Sequence, residues 1–260
     1  MNVKNIALKV GLISLMAFGA NLHAAEQALR LGIEAAYPPF ASKTPDNTIV
    51  GFDYDIGQAL CAEMNVKCVW QEQEFDGLIP ALKVKKVDAV ISSVSMTPER
   101  MKSVDFTNRY YRIPARLVFK KGSDVSEIPA QLKGKRIGVQ RATNFDRYVT
   151  EKFVPAGAEI VRYGSQNEVF LDLLGGRLDA TMASSVVIDE SLLKRPEGQE
   201  FEFVGPNFTE ERFFGTGIGI AVRKNDPLAG RFNQALATIR ANGTYDKIRQ
   251  KYFDFDIYGE

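Results

Sequence analysis

Histidine is all but missing from this chain: its 260 residues hold one, His23. Cysteine is nearly as scarce, with Cys61 and Cys68 alone, and tryptophan occurs once. Neither sign of charge is in excess, since 33 Lys and Arg face 32 Asp and Glu for a formal net charge of +1. A near-neutral chain has no electrostatic footprint for nucleic acid, so that class of partner is not expected. Two cysteines are too few for a Cys₄ zinc site. Long apolar runs are missing too. Val10–Ala20 falls short of the roughly 18 residues a membrane-spanning helix needs, and no later stretch reaches that length.

That run follows Lys4 and Lys9 and precedes Leu22-His23-Ala24, a basic start, an apolar middle and a small-residue end. The pattern predicts an export signal over residues 1–24; the other reading is a buried N-terminal helix. No cysteine follows the run closely, so a lipid anchor is not indicated. Removing 1–24 takes away Lys4 and Lys9, leaving 31 basic residues against 32 acidic ones, a net of −1. It also takes away the only histidine. The remaining chain has no Ser-His-Asp triad, no imidazole base and no His-containing zinc site. Neither a metal nor a cofactor is expected.

An exported chain meets an oxidising compartment, where Cys61 and Cys68 can pair as a clip between a helix end and the next strand. Closing so short a loop is worth about 2–3 kcal/mol. Two free buried thiols are the alternative.

Strand and helix patterns alternate along the rest. Leu29–Glu34 reads as a strand, Asp53–Met64 as a helix, Lys67–Gln73 as a strand, Asp76–Val84 as a helix and Val87–Ser92 as a buried strand. This alternation predicts an α/β fold with mostly parallel sheets covered on both faces. The pattern then recurs. Leu78–Ser93 (LIPALKVKKVDAVISS) matches Val169–Ser184 (VFLDLLGGRLDATMAS) at Leu82/Leu173, Lys86/Arg177, Asp88/Asp179 and Ser93/Ser184. Upstream, Arg30–Glu34 echoes Arg136–Gln140. Two matches in one order predict two lobes of similar topology. Gly215–Lys224 reads as a further strand, then Pro227–Arg240 and Tyr245–Phe253 as helices split by Asn242-Gly243. The expected layout is lobe one at 25–112 plus 217–260 and lobe two at 116–208, joined by strand-like hinge crossings near 112–116 and 209–217. Two lobes on two crossings enclose a cleft that can close on a ligand.

Ligands of open α/β sheets bind beyond the carboxyl ends of the strands. That rule selects Glu34–Phe40, Ser92–Arg100, Gln140–Asn144 and Ser184-Ser185. Tyr37 and Phe75 supply flat apolar faces, Glu34 a negative charge and Arg100 a positive one. Ser92, Ser93, Ser95, Thr143 and Asn144 supply short hydrogen-bonding groups, and the helical run after Thr143-Asn144 offers N–H groups to an anion. Each has a plainer reading. Glu34 can be a solvated carboxylate, Tyr37 loop packing and Phe75 a core residue. Thr97–Arg100 can be an ordinary helix start whose arginine pairs with a nearby acid. Their joint position at strand ends favours a site.

The chain resembles the periplasmic solute-binding proteins of polar amino acid ABC importers, in particular the lysine/arginine/ornithine-binding and histidine-binding branch. The resemblance rests on Gly32-Ile-Glu-Ala-Ala-Tyr-Pro-Pro-Phe40, Gly51-Phe-Asp-Tyr-Asp-Ile56, Phe75-Asp-Gly-Leu-Ile-Pro80, Asp88-Ala-Val-Ile-Ser-Ser93, Arg100, Asp105-Phe106, Gly134-Lys-Arg-Ile-Gly-Val139 and Asn242-Gly-Thr-Tyr245. They run in family order across essentially the whole chain after the signal, and the cysteine pair also matches this branch. The resemblance implies a type II periplasmic binding protein fold, a place in the periplasm, a basic amino acid ligand and a membrane permease as partner; a soluble chain is expected from the lack of long apolar runs, and a monomer is the default. It implies that Arg100 grips the ligand α-carboxylate, with Ser95 and the Thr143-Asn144 backbone completing that end. Ser92 and the Ser93 carbonyl would meet the amino or side-chain end. Tyr37 and Phe75 would sandwich the stem and its cation, a contact worth about 2 kcal/mol when desolvated. Glu34 would sit near the distal cation, with Gln140 able to hydrogen-bond it. A carboxylate–cation pair at about 4 Å is worth roughly 4 kcal/mol at an effective dielectric near 20.

One position departs from the family. An aspartate in lobe two usually pairs with the ligand α-ammonium, and Ser184 stands there. Serine accepts a hydrogen bond but brings no charge. Opine-binding relatives resemble this chain at that position, which makes octopine, nopaline or an N-acylated arginine the alternative ligand. Those relatives carry glycine where this chain has Ser95, which points the other way. A periplasmic enzyme on the same scaffold would need a positioned acid or base, for which Glu34 is the one candidate.

Overall fold

The computed structural model describes residues 28–259, so the expected export signal lies outside the described residues. Among the described residues the chain builds two five-stranded sheets of one design beside a small antiparallel sheet of Ala36–Tyr37, Ala41–Lys43 and Ile49–Val50. The first has the order Cys68–Glu72, Leu29–Ile33, Ala89–Val90, Ala221–Arg223, Val104–Phe106. Its first three strands run parallel, and Ala221–Arg223 is antiparallel to both neighbours. The second has the order Glu159–Tyr163, Arg136–Gln140, Ala180–Ser184, Ala115–Lys120, Phe201–Phe208, again three parallel strands beside antiparallel pairing.

The internal repeat is visible in the register. Leu31 and Gly32 face Ala89 and Val90 in one sheet, as Ile137 and Gly138 face Ala180 and Thr181 in the other. The repeated aspartate ties down the strand beside it. The Arg30 N–H donates to Asp88 at 3.0 Å, and the Arg136 N–H donates to Asp179 at 2.7 Å. A backbone donor that the ladder leaves open is thus satisfied by a side chain. Each sheet has both faces covered. Helix Phe75–Lys83 packs Leu78 and Leu82 on one face of the first, and Phe52–Glu63 with Leu228–Ala241 cover the other. Helices Asn144–Lys152 and Gln166–Leu174 cover the second sheet.

The C-terminal helices return to the first sheet. Lys251 and Tyr252 in helix Thr244–Tyr252 both donate to Asp55 at 3.0 Å, and the Tyr245 hydroxyl donates to the Tyr110 carbonyl at 2.5 Å. Cys61, near the end of helix Phe52–Glu63, is bonded to Cys68, which opens the next strand; their Cα atoms are 6.1 Å apart. The free-thiol reading falls away.

Two expectations fail at the second crossing. Gly215–Lys224 is a strand only at Ala221–Arg223. Upstream the backbone presses against its neighbour: at Gly215, with φ of 69°, a Cβ would stand 2.3 Å from the Met96 carbonyl oxygen. Ile218 forms single bridges with Ser95 and Tyr111 in place of a ladder. Before it, Glu211–Phe214 is a helical turn and not a strand. Phe213 and Phe214 both enter the second sheet's core, which consecutive residues of a strand, pointing to opposite faces, cannot do.

Gly32 and Gly138 hold equivalent places, but their surroundings differ. A Cβ at Gly138 would lie 2.4 Å from Leu178 Cδ1 and 2.8 Å from Val169 Cγ1, against 3.3 Å and more at Gly32. Gly138→Ala should therefore cost about 1–3 kcal/mol of stability through overpacking, and Gly32→Ala clearly less. Urea unfolding of the two variants measures this; equal losses would refute the reading.

Candidate functional site

A cleft lies between the carboxyl ends of the two sheets. The first half contributes Glu34, Tyr37, Phe75, Ser92, Ser93 and Ser95, and the second contributes Gln140, Thr143, Asn144 and Ser184. Of the expected site residues, the structure brings all but Arg100 onto this one surface.

Glu34 stands just past strand Leu29–Ile33 and is buried, with 4 % of its surface exposed. Its N–H donates to Ser92 Oγ at 2.9 Å, and its carboxylate accepts from Gln140 Nε2 at 2.5 Å. Burial pushes the Glu34 carboxyl up to about 7, with the Glu74 and Asp76 charges adding to it and the Gln140 hydrogen bond opposing it. Among the described residues no cation contributes to that balance. A cation placed against Glu34 would complete its ionisation. Gln140 also donates to the Gly164 carbonyl at 3.0 Å. Its amide N–H groups therefore hold Glu34 and the second half, and its Oε1 is the atom that can accept from a cation.

Arg100 lies at the other end. Thr97 caps helix Pro98–Met101, its Oγ1 accepting from the Arg100 N–H at 3.2 Å. The Arg100 guanidinium donates to the carbonyls of Ser95 at 3.1 Å and Ala142 at 3.4 Å, and sits 5.3 Å from the centre of the Phe75 ring. Burial pushes its pKa down to about 10, and no carboxylate acts against that shift. Arg100 stands at the seam of the cleft, beside its lining residues Phe75 and Ser95. It lines an adjoining groove, and Thr143 and Asn144 border both spaces. Its two carbonyl acceptors and the Phe75 face draw it there.

The serines divide. The Ser92 hydroxyl is taken by the Glu34 backbone. Ser93 has φ of 52°, and its Oγ donates to Asp53 at 2.9 Å while accepting from the Tyr111 hydroxyl at 2.6 Å. Asp53 is fully buried, and burial pushes it up to about 7 although Tyr110 and Ser93 both donate to it. Thr143 caps helix Asn144–Lys152, accepting from the Asp146 N–H at 3.1 Å and donating to the Gln140 carbonyl at 2.7 Å. Ser184 Oγ is buried and has no hydrogen-bond partner among the described residues. A hydroxyl in that state can both accept and donate to a ligand group.

Tyr37 is braced from behind. It stacks on Phe40 with ring centres 6.1 Å apart, and Phe40 stacks on Tyr111 at 4.9 Å. Tyr111, Arg112, Ile113, Phe145, Phe208 and Phe214 also line the cleft, and the sequence reading missed them as site residues. For Tyr111–Ile113 the signal was present, because a hinge crossing must run along the base of an interlobe cleft. Phe208 and Phe214 belong to an aromatic-rich run that reads equally well as core.

Residues 29–255 match the family of bacterial extracellular solute-binding proteins, family 3. The chain is 54% identical over 258 residues to the L-arginine-binding protein of Pseudomonas aeruginosa, covering 99% of each chain. It is 40% identical over 250 residues to the lysine/arginine/ornithine-binding periplasmic protein of Escherichia coli, covering 96% of each. Its structure is similar to that of an ancestral arginine-binding protein bound to arginine, with a TM-score of 0.80, 36% identity, and coverage of 87% of this chain and 98% of that one. The two sheets with their shared cleft form the type II periplasmic binding protein fold, and the chain belongs to the bacterial extracellular solute-binding proteins of family 3.

Proposed function

We propose that this chain captures a basic amino acid, arginine first, between lobe one (25–112 with 217–260) and lobe two (116–208), and carries it through the periplasm as a monomer to a membrane permease. The observation that carries this reading is a pair of charges that, among the described residues, meet only neutral partners: buried Glu34 accepts from the Gln140 amide, and Arg100 donates to the Ser95 and Ala142 carbonyls. An α-amino acid with a cationic side chain brings one partner for each. Ser184 Oγ, unpaired at the end of its strand, is then an acceptor for the α-ammonium. Closure of lobe two over a ligand first held by lobe one is a population shift driven by these added contacts. Relatives that bear the names of arginine-binding and lysine/arginine/ornithine-binding proteins favour an unmodified basic amino acid over an opine or N-acylated one. Their roles support capture without chemistry.

Arg100→Ala should raise the arginine Kd about a hundredfold, the loss of roughly 3 kcal/mol of charge-assisted hydrogen bonding. Glu34→Gln should weaken arginine, ornithine and lysine but leave any binding of neutral amino acids alone. Calorimetric titration checks both, and unchanged arginine affinity in both variants would overturn the assignment.

The pH dependence has a definite sign. A cationic ligand needs Glu34 ionised, and in the ligand-free protein that group titrates near 7. Arginine binding should therefore tighten as pH rises from about 5.5 and level off above about 8, releasing a proton on the way. The ligand-free fold shows the opposite trend. Glu34 is raised in the folded state, so its protonated form is favoured there, and stability falls as pH rises from 4.5 through about 7. Glu34→Gln should flatten the binding profile; a wild-type affinity indifferent to pH would contradict this.

A further inference from the structure

Three consecutive residues of lobe two reach across to lobe one. Gln140 donates to Glu34 at 2.5 Å. Arg141 donates through Nε to Asp76 at 2.6 Å and through Nη2 to Glu74. The Ala142 carbonyl accepts from Arg100 at 3.4 Å. The middle contact is the charged one, and it lies outside the cleft lining. Its geometry is fixed at both ends. The Arg141 N–H is pinned to the Tyr163 carbonyl at 2.9 Å, and Ala142 follows at φ of 60°, a left-handed turn that a residue with a Cβ adopts only where its surroundings impose it. Glu74 is the N-cap residue of helix Phe75–Lys83 and Asp76 is in its first turn, where the helix dipole favours acids and holds them in place.

We propose that Arg141 is a latch that sets how long the cleft stays shut, acting on ligand retention without touching the ligand; the retention part rests on the capture reading above. One guanidinium spans two carboxylates of the opposite lobe, so opening must break both contacts together. Capture from solution happens in the open form, where the latch is disengaged, so the latch slows release directly and slows capture by lowering the open fraction. Arg141 and Glu74 are 42% and 69% exposed, and salt reaches the latch.

The test uses Arg141→Gln, which leaves Glu34, Tyr37, Phe75 and Arg100 intact. Interlobe distance is followed by single-molecule fluorescence transfer with one dye on each lobe, in ligand-free protein. The variant should raise the open fraction about fivefold at low salt, the size of a good exposed ion pair. Salt at about 0.5 M should bring wild type toward the variant while leaving the variant unmoved. Arg141→Lys, which keeps the charge but not the fork, should fall between them. With arginine as the probe, stopped-flow should show the dissociation rate rising by about the same factor and the association rate rising with the open fraction. An open fraction equal in wild type and Arg141→Gln, with the same salt response, overturns the latch. Should wild type fail to bind arginine while Arg141→Gln still opens the lobes at low salt, the latch stands and the ligand assignment falls.

Discussion

The structure turns on one buried carboxylate. Glu34 sits at the end of the central parallel strand of its sheet, with neutral hydrogen-bond donors and no cation around it. Burying an unpaired charge is costly, and a protein lowers that cost by protonating the group or by supplying a partner. Here the fold does the first, lifting the group to about 7, and leaves room for the second. Arg100 is the mirror case, a guanidinium held by carbonyls and an aromatic face without an acid. Neither group is explained by the stability of the chain alone. Both would be matched by the ligand proposed above, a zwitterion with one further positive charge.

How the chain brings these groups together follows from its repeat. The same aspartate-to-strand tie, Asp88 to Arg30 and Asp179 to Arg136, orders the same three parallel strands in each sheet. The carboxyl ends of equivalent strands then face one another across the cleft. Glu34 and Gln140 occupy equivalent positions after Arg30 and Arg136, and they meet directly. A repeat in sequence thereby becomes a contact between lobes.

Much of this was legible in the residues. Alternating patterns in Leu29–Glu34, Asp53–Met64 and the segments after them located the parallel cores, because period-two and period-3.6 spacing reflect burial directly. The rule for strand ends found the cleft lining, and the Cys61–Cys68 pairing followed from compartment and spacing. What escaped depended on tertiary packing. Glu211–Phe214 coils because two adjacent aromatics share one core, and Gly215 and Gly217 are shaped by backbone from Met96 and Tyr111. Ser93 points its hydroxyl at Asp53 and Arg100 is held by the Ser95 and Ala142 carbonyls, partners that residue type alone does not contain.

The central claim, that two unmatched charges define the ligand, is tested most directly by titrating three molecules into one calorimeter cell. Arginine carries both complementary groups, citrulline keeps the shape without the distal charge, and agmatine keeps the charge without the carboxylate. The account predicts tight binding of arginine, with each analogue weaker by about a hundredfold or more, the value of one lost charged contact. Citrulline binding as well as arginine would show that Glu34 is not the cation's partner, and the account would fail.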